Sequence, residues 1–370
     1  MQTTDTITRS EPARKRAFNF SAGPGALPEA VLEEVREELP VYKSIGTSVL
    51  EISHRSPTYT EIAESARSLF RNLLGLGDEW HILFLQGGAS LQFYQVPLNF
   101  LPESGTADYL VTGSWSKKAL KEARFVGAPN VAASSEDEAF TFIPKRSEWK
   151  LDPKAAYLHF TSNNTIYGTQ FAETPDVDVP LVCDASSDFM SRQIDVDRYG
   201  LIYAGAQKNI GPAGVTVVLI RDDFLARRNS PLPTLLDYGT HTAKLFHTPA
   251  VFAVYMVEKV LRWLDGLGGL AAMEDLNNRK ARLLYERIDR TGFYSGTAKA
   301  DSRSKMNVTF RLPNEELDAA FVKAAADRGL IALKGYRTVG GIRASIYNAC
   351  PIEAVEALVE LMDDFEKANG

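Results

Sequence analysis

The feature that constrains the fold most is an alternation of short apolar runs with apolar residues at helical spacing. The runs end in polar or glycine-containing loops, which is typical of buried strands. They occupy residues 81–85, 109–111, 157–160 and 179–183. Helical spacing appears before and between them, as from Ile62 to Leu74. The alternation continues to about Ile220 and predicts an α/β fold built on a mostly parallel, doubly wound sheet.

A change of pattern near residue 270 predicts a second, smaller domain. The helical pattern of residues 252–264 stops at a cluster of glycines, and residues 306–312 then alternate apolar with polar, as in a half-exposed strand. A last apolar stripe begins after Pro351 and predicts a final helix. We therefore expect a disordered tail at residues 1–16, an amino-terminal segment and large domain at 17–270, and a small α+β domain at 271–370.

Composition excludes several classes of protein. With 370 residues, 45% of them hydrophobic and 24% charged, the chain is long and apolar enough for two folded domains. The formal charge of −6 argues against a nucleic-acid-binding surface. We find no apolar run long enough to span a membrane and no apolar core in the tail, which argues against a secretory signal. The two cysteines exclude a disulfide scaffold and suit a reducing cytoplasm.

One lysine and one aspartate stand at the ends of apolar runs. Lys208 lies on a Gly- and Pro-containing turn between residues 201–206 and 215–220, and Asp184 directly follows residues 179–183. Taken alone, a loop lysine is usually solvated, and Asp184 could cap a helix. Together they match pyridoxal phosphate, which needs a lysine for its aldehyde and an acid that keeps its pyridine nitrogen protonated.

Other strand-end loops offer the remaining groups that this cofactor requires. The Gly87-Gly88 pair opens a predicted helix, where backbone N–H groups and the helix dipole favour an anion such as a phosphate. Trp115 follows residues 109–111 and could stack on a heteroaromatic ring, although tryptophan more often fills a core. Residues 161–168 form a polar loop at the same predicted sheet edge.

At this point the chain resembles the phosphoserine aminotransferases, which belong to the class V aminotransferases and to the fold-type I pyridoxal-phosphate enzymes. The resemblance runs from residue 18 to the carboxyl terminus. It rests on four motifs, which are GTS at 46–48, EISHR at 51–55, GAQKN at 205–209 and GGIRASIYNA at 340–349. It implies a large domain with a doubly wound sheet and a smaller carboxyl-terminal domain.

The resemblance implies that Lys208 and Asp184 are the catalytic residues. Lys208 would form the Schiff base with pyridoxal phosphate and then move the proton as base and acid in a ping-pong reaction. Asp184 would support the pyridine nitrogen, and Trp115 would stack on the ring. The full set of implied cofactor-binding residues is Ala89, Ser90, Trp115, Thr165, Asp184, Gln207, Lys208, His247 and Thr248.

The substrates implied by the resemblance carry two anionic groups, for which arginine forks are well matched. Arg343 lies in a short apolar strand, where an unpaired guanidinium is costly, and would hold the α-carboxylate. Arg55 would contact L-glutamate, and Arg337 with His54 would serve the phosphate or the side-chain carboxylate. Tyr336 stands where many relatives carry a histidine next to that arginine.

The implied reaction exchanges the amino group between L-glutamate and 3-phosphohydroxypyruvate to give 2-oxoglutarate and O-phospho-L-serine, a step of serine biosynthesis. The family often also accepts the 4-phosphooxy analogue used in pyridoxine biosynthesis. This chain has His247-Thr248 where many relatives have an Asn-Thr pair. In the family this segment reaches the cofactor phosphate of the neighbouring subunit, so the resemblance implies a homodimer with a shared active site. We expect no metal, nucleic acid or membrane partner, and a cytoplasmic location.

Three alternatives remain at this point. Another class V aminotransferase of small acids would share the fold and the lysine, and so would a cysteine desulfurase, which needs a mobile nucleophilic cysteine. Cys350 is the one cysteine near the Arg343 strand, but Pro351 and a helix follow it. A non-catalytic ligand-binding homologue is disfavoured by the intact lysine, aspartate and arginine set. A nicotinamide enzyme is not supported, because no G-x-G-x-x-G opens a strand-helix unit.

Overall fold

The computed structural model describes residues 16–370, so the tail predicted at residues 1–16 lies outside the described part except for Arg16. The strands are Phe18–Asn19 (β1), Trp80–Leu85 (β2), Thr106–Val111 (β3), Asn130–Ser134 (β4), Ala155–Thr161 (β5), Asn163–Asn164 (β6), Thr169–Gln170 (β7), Leu181–Asp184 (β8), Tyr199–Gly205 (β9), Thr216–Arg221 (β10), Ser295–Gly296 (β11), Asn307–Arg311 (β12), Leu330–Ile331 (β13) and Ile342–Ser345 (β14). The α-helices are Glu29–Glu38 (α1), Pro57–Leu74 (α2), Gly88–Phe100 (α3), Ser114–Ala123 (α4), Asp222–Leu225 (α5), Tyr238–Ala243 (α6), Val251–Gly266 (α7), Gly269–Asp289 (α8), Glu315–Asp327 (α9) and Ile352–Asn369 (α10).

A seven-stranded sheet with the order β2-β10-β9-β8-β5-β3-β4 forms the centre of the larger part. Only β10 runs antiparallel to its neighbours within this sheet. The carboxyl ends of the other strands therefore share one edge, and the Cα of Asp184 lies opposite those of Thr161 and Tyr203. The predicted α/β fold with a mostly parallel sheet is confirmed.

Helices cover both faces of this sheet. Val217 and Leu219 of β10 pack in one apolar cluster with residues of α2 and α7. Val218 and Ile220 pack in a second cluster, on the opposite face, with residues of α3 and α4. Burial on both faces explains why β10 is continuously apolar instead of alternating.

The carboxyl-terminal part has its own antiparallel sheet, β11-β12-β14. Residues of α8, α9 and α10 form a third apolar cluster with it. Helix α8 belongs to both parts, since Met273 packs in the large core and Leu284 in the small one. Strand β1 pairs in parallel with β13, which ties the amino-terminal segment to this region. The domain boundary at residue 270 stays a prediction.

The helix ends follow local sequence signals. Helix α2 begins after Ser56, whose Oγ accepts the N–H of Tyr59 at 3.2 Å, with Pro57 in the first turn. It ends at Gly75, as predicted, where φ is +69° and the glycine N–H donates to the carbonyl of Arg71. Among the helices of the described part, none is both long and apolar enough to cross a membrane.

The strand predicted at residues 306–312 is present as β12, and Arg311 is exposed as predicted, but the expected exposure of the other two polar positions was wrong. Both Asn307 and Thr309 of β12 are buried, at 0% and 4% exposure. The polar positions of this strand are covered because their side chains have hydrogen-bond partners there. Asn307 donates to Ser345 Oγ at 2.9 Å, and Thr309 donates to the carbonyl of Tyr167 at 3.1 Å.

Candidate active site

Lys208 lies on the turn between β9 and β10, directly after the half-buried Gln207. Its Nζ donates a hydrogen bond to Oγ1 of Thr165 at 2.8 Å and lies 5.8 Å from the ring centroid of Trp115. Burial lowers the pKa of Lys208 to about 8, although the nearby Asp184 carboxylate opposes this shift. An amine with this pKa is partly neutral at physiological pH and can act as nucleophile or base.

The segment before α1 passes close to the lysine turn. The N–H of Gly25 donates to the carbonyl of Gln207 at 2.7 Å. A Cβ at Gly25 would lie 2.9 Å from the Tyr347 ring and 3.0 Å from the carbonyl oxygen of Lys208, so only glycine fits there. Sequence reasoning did not assign Gly25 to the site, although the run Gly23-Pro24-Gly25 is a signal for such a close approach.

Asp184 ends β8 at the carboxyl edge of the sheet and is 3% exposed. Burial raises the pKa of this carboxyl, while the hydrogen bond from the Ser186 N–H, at 3.1 Å, and the charge of Lys208 oppose the shift. A second buried carboxylate, Asp188, accepts a hydrogen bond from Gln170 Nε2 at 3.0 Å. Sequence reasoning missed Asp188, although it lies in the polar segment that directly follows Asp184.

Helix α3 begins with two glycines in the left-handed region, at φ +93° for Gly87 and +65° for Gly88. The first helical hydrogen bond at this end runs from the N–H of Leu91 to the carbonyl of Gly87 at 3.2 Å. The N–H groups of Gly88, Ala89 and Ser90 therefore have no partner within the helix, and the helix dipole favours an anion there. Ser90 is exposed and Ala89 is half-buried.

Trp115 lies in the first turn of α4, after the carboxyl end of β3. The ring is half-buried, and its Nε1 has no hydrogen-bond partner within the described residues. Lys118 Nζ lies 4.4 Å from the ring centroid. The adjacent Ser114 hydroxyl lies 2.8 Å from the hydroxyl of Tyr167. An aromatic ring is thus held next to the Lys208 amine.

Arg343 comes from β14, in the other part of the chain, and reaches the same point. Its Nη1 donates to the carbonyl of Thr165 at 3.4 Å, and its guanidinium lies 5.9 Å from the ring centroid of Tyr336. The side chain is half-buried, and burial lowers its pKa. Because Lys208 donates to the hydroxyl of Thr165 and Arg343 to its carbonyl, an amine and a guanidinium meet at one residue.

The other predicted residues form a second group. The ring of His247 packs 5.4 Å from that of His241, and neither of its nitrogens has a partner within the described residues. Burial lowers the pKa of His247, and the neighbouring His241 and His54 lower it further. His54 and His241 line one cavity of about 390 Å³. Arg55 and Thr248 are exposed.

Arg337 lies on the loop between β13 and β14 and is exposed. Across residues 16–370, no hydrogen bond joins it or the group of His54, Arg55, His247 and Thr248 to Lys208, Thr165 or Asp184. One chain therefore assembles Lys208, Asp184, Trp115, Thr165 and Arg343. The predicted residues of the described part that share no hydrogen bond with them include His54, Arg55, His247, Thr248 and Arg337.

The two cysteines are free and buried. Burial raises the pKa of the Cys350 thiol to about 11, so the thiolate is scarce at neutral pH. This argues against the mobile nucleophilic cysteine that a cysteine desulfurase needs.

Comparisons with known proteins agree with this geometry. The model of the aminotransferase class-V family matches residues 17–358. The chain is 52% identical over 361 residues to a phosphoserine aminotransferase of Desulfosudis oleivorans, which covers 96% of this chain and 99% of the relative. The same identity holds over 356 residues with the phosphoserine aminotransferase of Geobacillus kaustophilus, covering 95% of this chain and 99% of the relative.

Solved structures give the same result. The phosphoserine aminotransferase from Bacillus circulans subsp. alkalophilus matches with a TM-score of 0.93 and 50% identity, covering 96% of this chain and 99% of that chain. A pyridoxal-phosphate-bound phosphoserine aminotransferase from Trichomonas vaginalis matches with a TM-score of 0.91 and 42% identity, covering 94% and 100%. The chain therefore belongs to the class V aminotransferases and, within them, to the phosphoserine aminotransferases.

Proposed function

We propose that this chain catalyses the reversible transfer of the amino group between L-glutamate and 3-phosphohydroxypyruvate, giving 2-oxoglutarate and O-phospho-L-serine. Its membership of the phosphoserine aminotransferases supports this. The observation that carries the proposal is the meeting of Lys208 and Arg343 at Thr165. A base held beside a carboxylate-binding guanidinium is what chemistry at the Cα of an amino acid requires. The same site could also serve the 4-phosphooxy analogue.

The cofactor is pyridoxal phosphate, which is bound in the solved relative from Trichomonas vaginalis. The residues present fit it, because the lysine pKa is low, the aspartate is buried and the first N–H groups of α3 lack helical partners. Ala89 and Ser90 would hold its phosphate, and Trp115 would stack on its ring. Thr165 and Gln207 would orient its polar groups.

When bound, pyridoxal phosphate supplies an aldehyde for the amino group and a ring that withdraws electrons from the substrate Cα. The Nζ of Lys208 takes up the Cα proton and returns it in the reverse direction, since a pKa of about 8 makes both forms accessible. The hydroxyl of Thr165 accepts a hydrogen bond from this Nζ and so orients it. The Asp184 carboxylate, which accepts a hydrogen bond from the Ser186 N–H, would keep the pyridine nitrogen protonated.

Arginines would recognise the anionic groups of the substrates. Arg343 would bind the α-carboxylate shared by all amino-acid substrates, which its position beside Lys208 supports. Arg55 would contact L-glutamate. Arg337 and His54 would bind the phosphate or the side-chain carboxylate. Arg55 and Arg337 are exposed, so their guanidinium groups are available to bind a substrate.

A homodimer with a shared active site would bring the second group of residues to the first. His247 is partly buried yet lacks a partner for either ring nitrogen within the described residues, as expected of a side chain that acts across an interface. Apolar side chains near this group in the sequence are 39–60% exposed, namely Val41, Ile45, Leu50, Leu245 and Phe246. We infer that His54, Arg55, His247 and Thr248 complete the site of the neighbouring subunit.

We also infer that the enzyme is cytoplasmic. Both cysteines, Cys183 and Cys350, are unpaired thiols, which suits a reducing compartment.

The test is a half-reaction with purified holoenzyme. O-phospho-L-serine is added without an amino acceptor, and 3-phosphohydroxypyruvate is measured. We expect release that stops at the amount of enzyme sites and resumes when 2-oxoglutarate is added. L-serine and L-cysteine are the matched controls. Sulfide from L-cysteine, or equal release from phosphorylated and plain serine, would contradict the proposal.

A further inference from the structure

A set of buried asparagines connects the two parts of the chain beneath the candidate site. Each is at most 5% exposed, and each has hydrogen-bond partners across the boundary between the central sheet and the carboxyl-terminal part. The set consists of Asn163, Asn209, Asn277, Asn307 and Asn348. None of them appears among the residues that the sequence predicts for the site.

The first link joins Asn163 to Asn307. The Nδ2 of Asn163 donates to Asn307 Oδ1 at 2.7 Å and to Ser187 Oγ at 2.8 Å. The Nδ2 of Asn307 in turn donates to Ser345 Oγ at 2.9 Å and to the Tyr347 hydroxyl at 3.2 Å. The side-chain amide of Asn307 thus links β6 to strand β14.

The second link joins Asn348 to the lysine turn. The N–H of Asn348 donates to Asn209 Oδ1 at 3.0 Å, and Asn209 Nδ2 donates to the carbonyl of Ser187 at 3.2 Å. The Nδ2 of Asn348 donates to the carbonyl of Met190 at 2.8 Å. Ser187 therefore contacts both links, since Asn163 binds its hydroxyl and Asn209 its carbonyl.

The two ends of this network lie next to the two functional groups, Lys208 and Arg343. Asn209 directly follows Lys208 in sequence, and Asn307 pairs with Ser345 of β14, the strand that carries Arg343. Apolar contacts are non-directional and tolerate small sliding movements. Buried amide hydrogen bonds do not, because a small shift leaves donors and acceptors unpaired in a low dielectric. The network therefore opposes displacement of the two parts relative to each other.

We propose that the hydrogen bond between Asn163 and Asn307 is a positioning contact that fixes the guanidinium of Arg343 relative to the Nζ of Lys208. This inference rests on the proposed function, in which Arg343 binds the α-carboxylate. Both asparagines act through other residues, because neither is hydrogen-bonded to Lys208 or Arg343 within the described part. A displacement of about 1 Å at a reacting centre can cost as much as ~100-fold in rate.

The test replaces Asn307 and measures how the holoenzyme binds glutarate, a dicarboxylate with no amino or keto group to react. In Asn307→Ala, the inhibition constant of glutarate should rise about tenfold, and the KM values for L-glutamate and O-phospho-L-serine should rise together. The dissociation constant of pyridoxal phosphate should stay within about twofold, since its own contacts remain. Asn163→Ala removes the same hydrogen bond from the other side and should show the same rise. The double variant should be no worse than either single one.

Asn99→Ala is the matched control. Asn99 is equally buried, at 0% exposure, and donates to the carbonyls of Gln95 and Leu236, both at 2.8 Å. Its loss should lower the melting temperature without changing the inhibition constant of glutarate. If Asn307→Ala and Asn163→Ala behave like Asn99→Ala, the inference is overturned. Failure of the proposed function would give a different result. If Arg343 does not bind the carboxylate, Arg343→Ala would also leave the inhibition constant of glutarate unchanged.

Discussion

The environment of the Lys208 amine in the folded chain changes its ionisation, which the proposed reaction uses. Burial lowers the pKa of Lys208 from 10.5 to about 8. The unfolded chain therefore binds a proton on this lysine between pH 8 and 10.5 that the folded apoprotein does not. Stability then increases with pH across that window, and the full cost of burying the charged amine is present below pH 8.

Replacing this lysine should remove that dependence. Lys208→Met is expected to raise the unfolding free energy of the apoprotein by about 1–3 kcal/mol at pH 7.5, because no charge must be buried. The difference from the wild type should narrow by pH 9.5. Urea unfolding at the two pH values measures it. A difference that stays constant with pH would mean that the lysine pKa is not lowered in the folded chain.

The two arginines should differ in substrate selectivity. Arg337→Ala should weaken O-phospho-L-serine by roughly ten- to a hundredfold, since a charge-assisted contact is worth about 1.5–3 kcal/mol, and should spare unphosphorylated amino acids. Arg343→Ala should weaken every amino-acid substrate, because all carry the α-carboxylate. Steady-state kinetics with phosphorylated and plain serine check both variants.

Arg337→Lys is the conservative control for this comparison. It keeps the charge but loses the planar fork, so we expect an intermediate loss for O-phospho-L-serine. Equal losses for phosphorylated and plain serine in Arg337→Ala would refute phosphate recognition by this residue.

At the scale of elements, the amino terminus of α3 depends on a glycine turn. Gly87 has φ +93°, and a Cβ there would lie 2.6 Å from the Cβ of Leu91. Gly87→Ala should therefore distort the first turn. A backbone cost of roughly 1–2 kcal/mol would weaken pyridoxal phosphate by about tenfold if the turn holds its phosphate. Absorbance titration of the apoprotein measures the affinity.

Gly75→Ala is the control for that titration. Gly75 also has a left-handed φ, +69°, but a Cβ there meets nothing within 4 Å, and the residue ends α2. It should cost stability and leave the cofactor affinity unchanged. If Gly87→Ala also leaves the affinity for pyridoxal phosphate unchanged, the turn before α3 does not bind the cofactor phosphate.

The elements that frame the site could be predicted from the sequence because their signals are local. The run before Asp184 is apolar on both faces, as a buried parallel strand must be, and the structure has β8 at Leu181–Asp184. Asn307 and Thr309 could not be placed in this way. An alternation of apolar and polar residues predicts a strand with one face in solvent. Only contacts with Asn163 and Tyr167, which are distant in sequence, show that these polar side chains are covered.

At the scale of the whole molecule, the site combines segments that are far apart in sequence. Lys208, on the turn after β9, and Arg343, on β14, meet because both donate a hydrogen bond to Thr165. The sequence motifs around Lys208 and Arg343 predicted both residues, but the sequence did not predict the network of buried asparagines that connects the two parts. Asparagine has no periodic signal of its own, and the same residue is favoured in exposed turns.

The proposed homodimer with a shared active site predicts complementation between two defective variants. Lys208→Ala and Arg55→Ala should each be nearly inactive as homodimers. If Arg55 acts in the neighbouring subunit's site, a mixed dimer contains one site with an intact lysine and an intact arginine, so mixing should restore activity. Subunits are exchanged by co-refolding, and transamination of O-phospho-L-serine is assayed. Absence of recovery in dimers shown to be mixed would place both residues in one subunit's site.

Lys208 is proposed to bind the cofactor and to move the proton in the assembled site. Borohydride reduction of the holoenzyme followed by tryptic mass mapping tests it most directly. A labelled Lys208 resists trypsin, so we expect a pyridoxyl label on the uncut peptide of residues 199–221. We also expect that addition of O-phospho-L-serine before reduction abolishes that label. A label on any other lysine, or none on residues 199–221, would contradict this proposal.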